Sequence, residues 1–324
     1  MLLELVDERR RRGHVRDCHG DLHLGNMALI DGKTRFFDCI EFNPALRWID
    51  TLSEVAFVAM DLHARGYAGY CWRFLNRYFE RSGDFEGIAL LRYYFVYRAL
   101  VRAKVEALRV AQNKPAAGEQ RGAFAAAVDY IDLAASWADG HRAGLIMMHG
   151  LSGSGKSTVA AQLVERLGAI QLRSDVERKR QFGLGALEAS QSATGGGIYT
   201  ASATAATYQR LRELAQQITA ADFTAIVDAT LLTVSQRRPF LELEGAQPIR
   251  RVIVDCDAPH AELRRRIAAR EGDASEASLE VLERQLETRE PLGAAERELA
   301  AVVSVDSGGI DDKTFDLIRA RLFD

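Results

Sequence analysis

The chain has 324 residues, 48% of them apolar, and a formal net charge of −3; this is long for one core and predicts two globular domains. The slight negative charge excludes a global basic field that would draw the protein onto nucleic acid or a membrane, so nucleic acid is a disfavoured partner, though a local cationic cleft stays open. Four scattered cysteines, no C-x-x-C pair, no membrane-length apolar run and a charged N-terminus predict reduced thiols in a soluble, cytoplasmic protein with no membrane contact.

In chain order, Arg9-Arg10-Arg11-Arg12 reads as the solvated end of a helix. Residues 27–38 form two short apolar stretches around Asp31-Gly32, which predicts a tight hairpin. Residues 48–138 are rich in helix formers, with apolar residues at three- and four-residue spacing such as Leu90, Tyr93, Tyr94, Tyr97, Leu100 and Val101. That spacing predicts a helical bundle, broken near Arg81-Ser82-Gly83-Asp84 and Asn113-Lys114-Pro115. The polar stretch Asp139-Gly140-His141-Arg142 marks a boundary, so the expected domains are 1–142 and 143–324. Beyond it, β-type runs at 145–149, 169–172, 224–228, 251–256 and 301–305 alternate with helical patterns, which predicts an α/β domain with a five-stranded parallel sheet. The Gly/Ser/Ala-rich residues 183–197 read as a mobile loop leading into a helix.

Between the first of these runs and the helix after it lies Gly150-Leu151-Ser152-Gly153-Ser154-Gly155-Lys156-Ser157, a full match to G-x-x-x-x-G-K-[ST]. The glycines let the backbone, from Gly150 through Thr158, turn its N–H groups onto phosphates, Lys156 neutralises the outer phosphates, and Ser157 reaches Mg²⁺. ATP and Mg²⁺ are therefore expected. In an open parallel sheet the chemistry sits at the carboxyl ends of strands beside this loop. There the sequence places Arg173-Ser174-Asp175-Val176-Glu177-Arg178, with Asp175 as a candidate general base and Arg178 one helical turn on. It also places Asp228-Ala229-Thr230, with Asp228 a candidate to hold the Mg²⁺ shell or to help position the acceptor. Each aspartate alone also reads as a helix N-cap. Arg266 and Arg270 share a face of the helix expected at 259–270 and are candidates to stabilise charge on a transferring phosphoryl group, whereas Arg264 and Arg265 read as solvated.

On the phosphate loop, Ser174-Asp175 with Arg178, Asp228-Ala229-Thr230 with Arg237-Arg238, and Arg266/Arg270, residues 145–324 resemble the P-loop kinases that phosphorylate hydroxyls of small molecules or nucleic-acid ends. That group holds gluconate kinase, chloramphenicol phosphotransferase, zeta toxins and polynucleotide 5′-kinase. The resemblance implies that Asp175 accepts the hydroxyl proton and Arg178 contacts the acceptor. In the first half, His19-Gly20-Asp21-Leu22-His23-Leu24-Gly25-Asn26 followed by Phe36-Phe37-Asp38 resembles the catalytic loop and metal-binding aspartate of the aminoglycoside phosphotransferases. This implies a helical kinase-like C-lobe in which Asp21 orients an acceptor and Asn26 and Asp38 ligate Mg²⁺, with Asp50 of Arg47-Trp48-Ile49-Asp50 bracing the loop. A zinc reading of His19 and His23 needs a helix, which Gly20 and Gly25 disfavour. Only eighteen residues precede His19, too few for the nucleotide-gripping lobe of that family, so the first half is expected to be a fragment or a vestigial site. The expected activity is phosphotransfer from ATP to a hydroxyl of a small molecule through the C-terminal domain; a polynucleotide 5′-hydroxyl kinase and a non-catalytic ATP-binding switch are the alternatives.

Overall fold

The computed structural model describes residues 2–113, 117–139, 143–192, 195–245, 247–269, 273–304 and 309–324. Lys114 and Pro115 of the expected helix break, residues 140–142 of the expected boundary, 193–194 of the expected loop and residue 305 of the last expected strand lie outside them. The chain divides into two compact units, residues 1–78 with 84–141 and residues 79–83 with 142–324.

The first unit begins with α1 (Leu2–Arg11) and β1 (Val15–Asp17). The hairpin of β2 (Met27–Ile30) and β3 (Lys33–Phe36) follows. Asp31 and Gly32 both take positive φ, 51° and 70°, as the hairpin turn with two left-handed central residues requires. β4 (Trp48–Asp50) pairs antiparallel with β1, so residues expected to open the bundle are instead extended. The bundle is α2 (Thr51–Ala64), α3 (Ala68–Ser82), α4 (Ile88–Asn113) and α5 (Ala117–Ala138). Its core is aromatic: Trp137 of α5 stacks on Phe95 of α4 and on Trp72 of α3.

The basic run of α1 corrects its expected reading. Arg10, Arg11 and Arg12 are exposed, but Arg9 is only 1% exposed. Its guanidinium donates to both oxygens of Asp50 (2.6 and 2.8 Å) and both oxygens of Asp84 (2.6 and 2.8 Å). Asp50 also N-caps α2 by accepting from the Leu52 amide. One planar cation thus serves two buried carboxylates at once.

In the second unit the parallel strands are β5 (Gly144–His149), β6 (Ala169–Arg173), β7 (Thr224–Asp228), β8 (Arg250–Asp257) and β9 (Ala300–Ser304), in the spatial order β6-β7-β5-β8-β9. Leu145, Ile146, Met147 and Met148 of the central strand are fully buried, which is why this strand reads as an unbroken apolar run. The helices are α6 (Lys156–Leu167), α7 (Ser174–Gln181), α8 (Ala201–Ala220), α9 (Val234–Leu241), α10 (His260–Ala268), α11 (Leu279–Thr288), α12 (Ala294–Leu299) and α13 (Asp312–Phe323). Among the described residues no helix is long and apolar enough to cross a membrane.

Candidate functional site

β5 runs into the glycine-rich loop, and α6 starts at Lys156. Gly150, Gly153 and Gly155 have φ of 137°, 83° and 89°. A Cβ on Gly150 would lie 2.3 Å from the Cys256 carbonyl oxygen of β8, so the turn needs glycine both for its dihedral angle and for the close approach of two strands. Lys156 donates from Nζ to the Leu151 carbonyl at 2.7 Å, and the buried Ser154 hydroxyl has no hydrogen-bond partner among the described residues. The loop is clamped from α11: the Ser152 amide donates to Gln285 Oε1 (2.9 Å), and Gln285 Nε2 donates to Ser152 Oγ (3.0 Å).

The loop forms one wall of a cavity of about 680 Å³ that also takes in Asp175, Arg178, Asp228 and Arg266. Asp175 stands in the first turn of α7, directly after β6, and the N-cap of that helix is Arg173. The N-cap of α9 is Thr233. Neither Asp175 nor Asp228 is therefore a helix cap.

Asp228 ends β7 and is 5% exposed. It accepts from Gln171 Nε2 at 2.8 Å and is hydrogen-bonded by Ser157, with Arg173 Nε at 3.9 Å. Burial raises its pKa, against the pull of Arg173, Ser157 and Lys156. Arg173 in turn pairs with Asp273 at 2.6 Å.

Arg178 is 7% exposed. Its Nη1 donates to the Ile198 carbonyl and to Thr204 Oγ1, both at 3.1 Å, and its guanidinium lies over the Tyr199 ring. Its buried Nε has no hydrogen-bond partner among the described residues. Arg266 reaches back over the loop, with Nε on Glu262 Oε1 (2.6 Å) and Nη1 3.5 Å from the Gly153 carbonyl. Arg270, expected beside it, lies outside the described residues. Arg264 and Arg265 are exposed and pair with Glu283 and Glu262.

Arg237 and Arg238 are not among the residues that line the cavity. Arg237 is fully buried, paired with Glu296 and donating to the carbonyls of Leu231, Glu290 and Pro291, so it braces the fold; Arg238 is exposed and pairs with Glu242. Residues that the sequence did not single out complete the cavity wall, notably Tyr199, Tyr208, Glu276 and Gln285. Glutamine, glutamate and tyrosine are common in any sequence, and only their spatial convergence marks them.

In the first unit the structure brings Asp21 and Asn26 together: Asn26 Nδ2 donates to the Asp21 carbonyl (2.9 Å) and to its Oδ2 (3.2 Å). The hydrogen bond from His23 holds the Asp21 carboxyl below its usual pKa. The loop is pinned by Glu54, which accepts from the Gly20 and Leu22 amides, by Asp61, which accepts from the Leu24 amide, and by Arg98, which donates to the Gly20 carbonyl. Asp38 is exposed at the end of the hairpin with φ 62°. Its neighbour Phe37 donates from its amide to the Asn26 carbonyl.

Residues 145–292 match the family described as an AAA domain. Over 273 residues the chain is 32% identical to an uncharacterized protein of Mycobacterium bovis and, equally, to one of Mycobacterium tuberculosis, an alignment covering 84% of this chain and 54% of each relative. The chain thus spans about half the length of the curated relatives it matches. Similar solved structures include a sugar kinase from Janibacter sp. HTCC2649 (20% identity, 56% of this chain and 91% of that one, TM-score 0.39). They also include a gluconokinase from Sinorhizobium meliloti 1021 (21% identity, 55% and 89%, TM-score 0.36) and the shikimate kinase of Acinetobacter baumannii in complex with shikimate (18% identity, 55% and 89%, TM-score 0.33).

Proposed function

We propose that the second unit is an ATP- and Mg²⁺-dependent phosphotransferase that moves the γ-phosphoryl group to a hydroxyl of a small molecule. The observation that carries this reading is that Asp175, free of any capping role, lines the same cavity as the phosphate loop. A nucleotide switch has use for the loop but none for a non-capping carboxylate in the wall of the same cavity.

The loop backbone and the first turn of α6 hold the phosphates through their N–H groups, and Lys156 leaves the Leu151 carbonyl to pair with the outer ones. Ser157 and the buried Asp228 would hold Mg²⁺, whose charge neutralises the phosphate oxygens. A buried carboxylate beside the Ser157 hydroxyl, the Gln171 amide and the Arg173 guanidinium suits such a hard, oxygen-seeking cation, which would complete its shell with phosphate and water. Asp175 accepts the proton as the acceptor oxygen bonds to phosphorus and the bond to the β–γ bridging oxygen breaks, leaving ADP. Arg178 and Arg266 stabilise charge spread over the transferring oxygens.

The test is a screen of hydroxylated metabolites, antibiotics and 5′-hydroxyl oligonucleotides with labelled ATP. Transfer to a small molecule, lowered about 10²–10⁴-fold in Asp175→Asn while ATP binding persists, is the expected result. Labelled oligonucleotides alone would assign a polynucleotide kinase, and ATP binding without any transfer would assign a switch.

A further inference from the structure

One carboxylate ties together three segments of the acceptor half of the cavity. Glu276 lies between α10 and α11. Its Oε1 is 2.9 Å from Lys179 Nζ, on the helix that carries Asp175 and Arg178, and accepts from the Ser190 amide at 2.8 Å. Its Oε2 accepts from the Ser190 hydroxyl and, at 3.3 Å, from the Tyr199 hydroxyl. Tyr199 is the ring under the Arg178 guanidinium. The Lys179 side chain is only 1% exposed, so its ammonium depends on Glu276 for a counter-ion. Burial alone would raise the Glu276 pKa, but the bonds from Ser190 and Lys179 outweigh it and hold the carboxyl below its usual range.

We infer that Glu276 is a positioning residue for the acceptor: it fixes the wall formed by Ser190 and Tyr199 against α7, so that Arg178 and Asp175 face a pre-shaped site. The inference rests on the phosphotransferase reading. Its reach is limited to the acceptor half, because the nucleotide loop is held separately by Gln285.

The experiment is amide hydrogen exchange on the full chain with and without a non-hydrolysable ATP analogue and Mg²⁺, for the parent, Glu276→Gln, Glu276→Ala and the double variant Glu276→Ala/Lys179→Met, which leaves no stranded charge. Exchange over residues 187–192 and 195–200 should rise at least tenfold in Glu276→Ala and in the double variant, and less in Glu276→Gln, which keeps an oxygen for the Ser190 amide. Exchange over residues 150–157 and calorimetric affinity for the analogue should stay within about twofold of the parent. With any acceptor that the parent phosphorylates, KM for the acceptor should rise at least tenfold in the double variant while KM for ATP does not. Unchanged exchange over 187–192 and 195–200, or an equal rise in both KM values, overturns the inference. Absence of any transfer by the parent overturns the phosphotransferase reading instead, and the exchange result then decides the anchoring by itself.

Discussion

Arg9 and Lys156 show how differently a buried cation can be used. Arg9 directs four of its five N–H donors at two carboxylates, and at 1% exposure it is out of reach of a ligand. Replacing it with Met removes the guanidinium that Asp50 and Asp84 share in the interior. The first unit should lose about 3–5 kcal/mol, the scale of breaking a buried ion pair from one side. All three tryptophans, Trp48, Trp72 and Trp137, lie in that unit, so urea unfolding followed by tryptophan fluorescence reports it selectively. Lys156 instead donates to a carbonyl of its own loop, an interaction that an incoming phosphate can replace. Lys156→Ala should abolish or greatly weaken ATP binding in calorimetry with the fold retained by circular dichroism. Undiminished affinity would mean that nucleotide binds elsewhere in the chain.

Among the elements, the strand-loop-helix unit of β5 and α6 has the least tolerance. A methyl group on Gly150 meets a backbone carbonyl of β8, which cannot swing aside as a side chain could, and a φ of 137° is itself strained for any residue with a Cβ. Gly150→Ala should therefore lower stability by more than about 1 kcal/mol and abolish ATP binding, read together by thermal melting and calorimetry. Gly183→Ala serves as the contrast. It too has a positive φ, but its Cβ meets nothing within 4 Å, so it should cost less and leave ATP affinity unchanged. The same reasoning separates two sides of the cavity: the phosphate-loop side is set largely by backbone, and the other side by side chains that link α7, Ser190, Tyr199 and Glu276.

For the molecule as a whole, the division into two units bears on which residues share a reaction. The residues lining the cavity all lie between Ser152 and Thr288, in the second unit. Phosphoryl transfer depends above all on positioning, and Asp21 and Asp38 have no place in that wall. Asp21→Ala and Asp38→Ala should leave ATP-dependent transfer by this chain within about twofold of the parent. A large loss in either variant, with circular dichroism unchanged, would assign the first unit a part in the chemistry.

The five parallel strands were legible in the sequence to within a residue or two, because strands buried on both faces must be apolar throughout and are bounded by polar turns. The hairpin at Asp31-Gly32 and the phosphate loop were legible for a related reason: their backbone conformations admit few residue types, so composition records geometry. Asp175 and Asp228 could be located beside the loop from strand ends alone, yet whether they capped helices was open until Arg173 and Thr233 were found in those positions. Arg9 and Arg237 had the sequence signature of surface or site cations and proved to be buried braces. Their carboxylate partners lie 41 to 75 residues away for Arg9 and 59 for Arg237, beyond any local pattern. Gln285 on Ser152 and Glu276 on Ser190, 133 and 86 residues apart, belong to the same class. Local steric rules write themselves into neighbouring residues, whereas the pairing of a buried charge is decided by whichever distant group the folded chain brings within hydrogen-bonding distance.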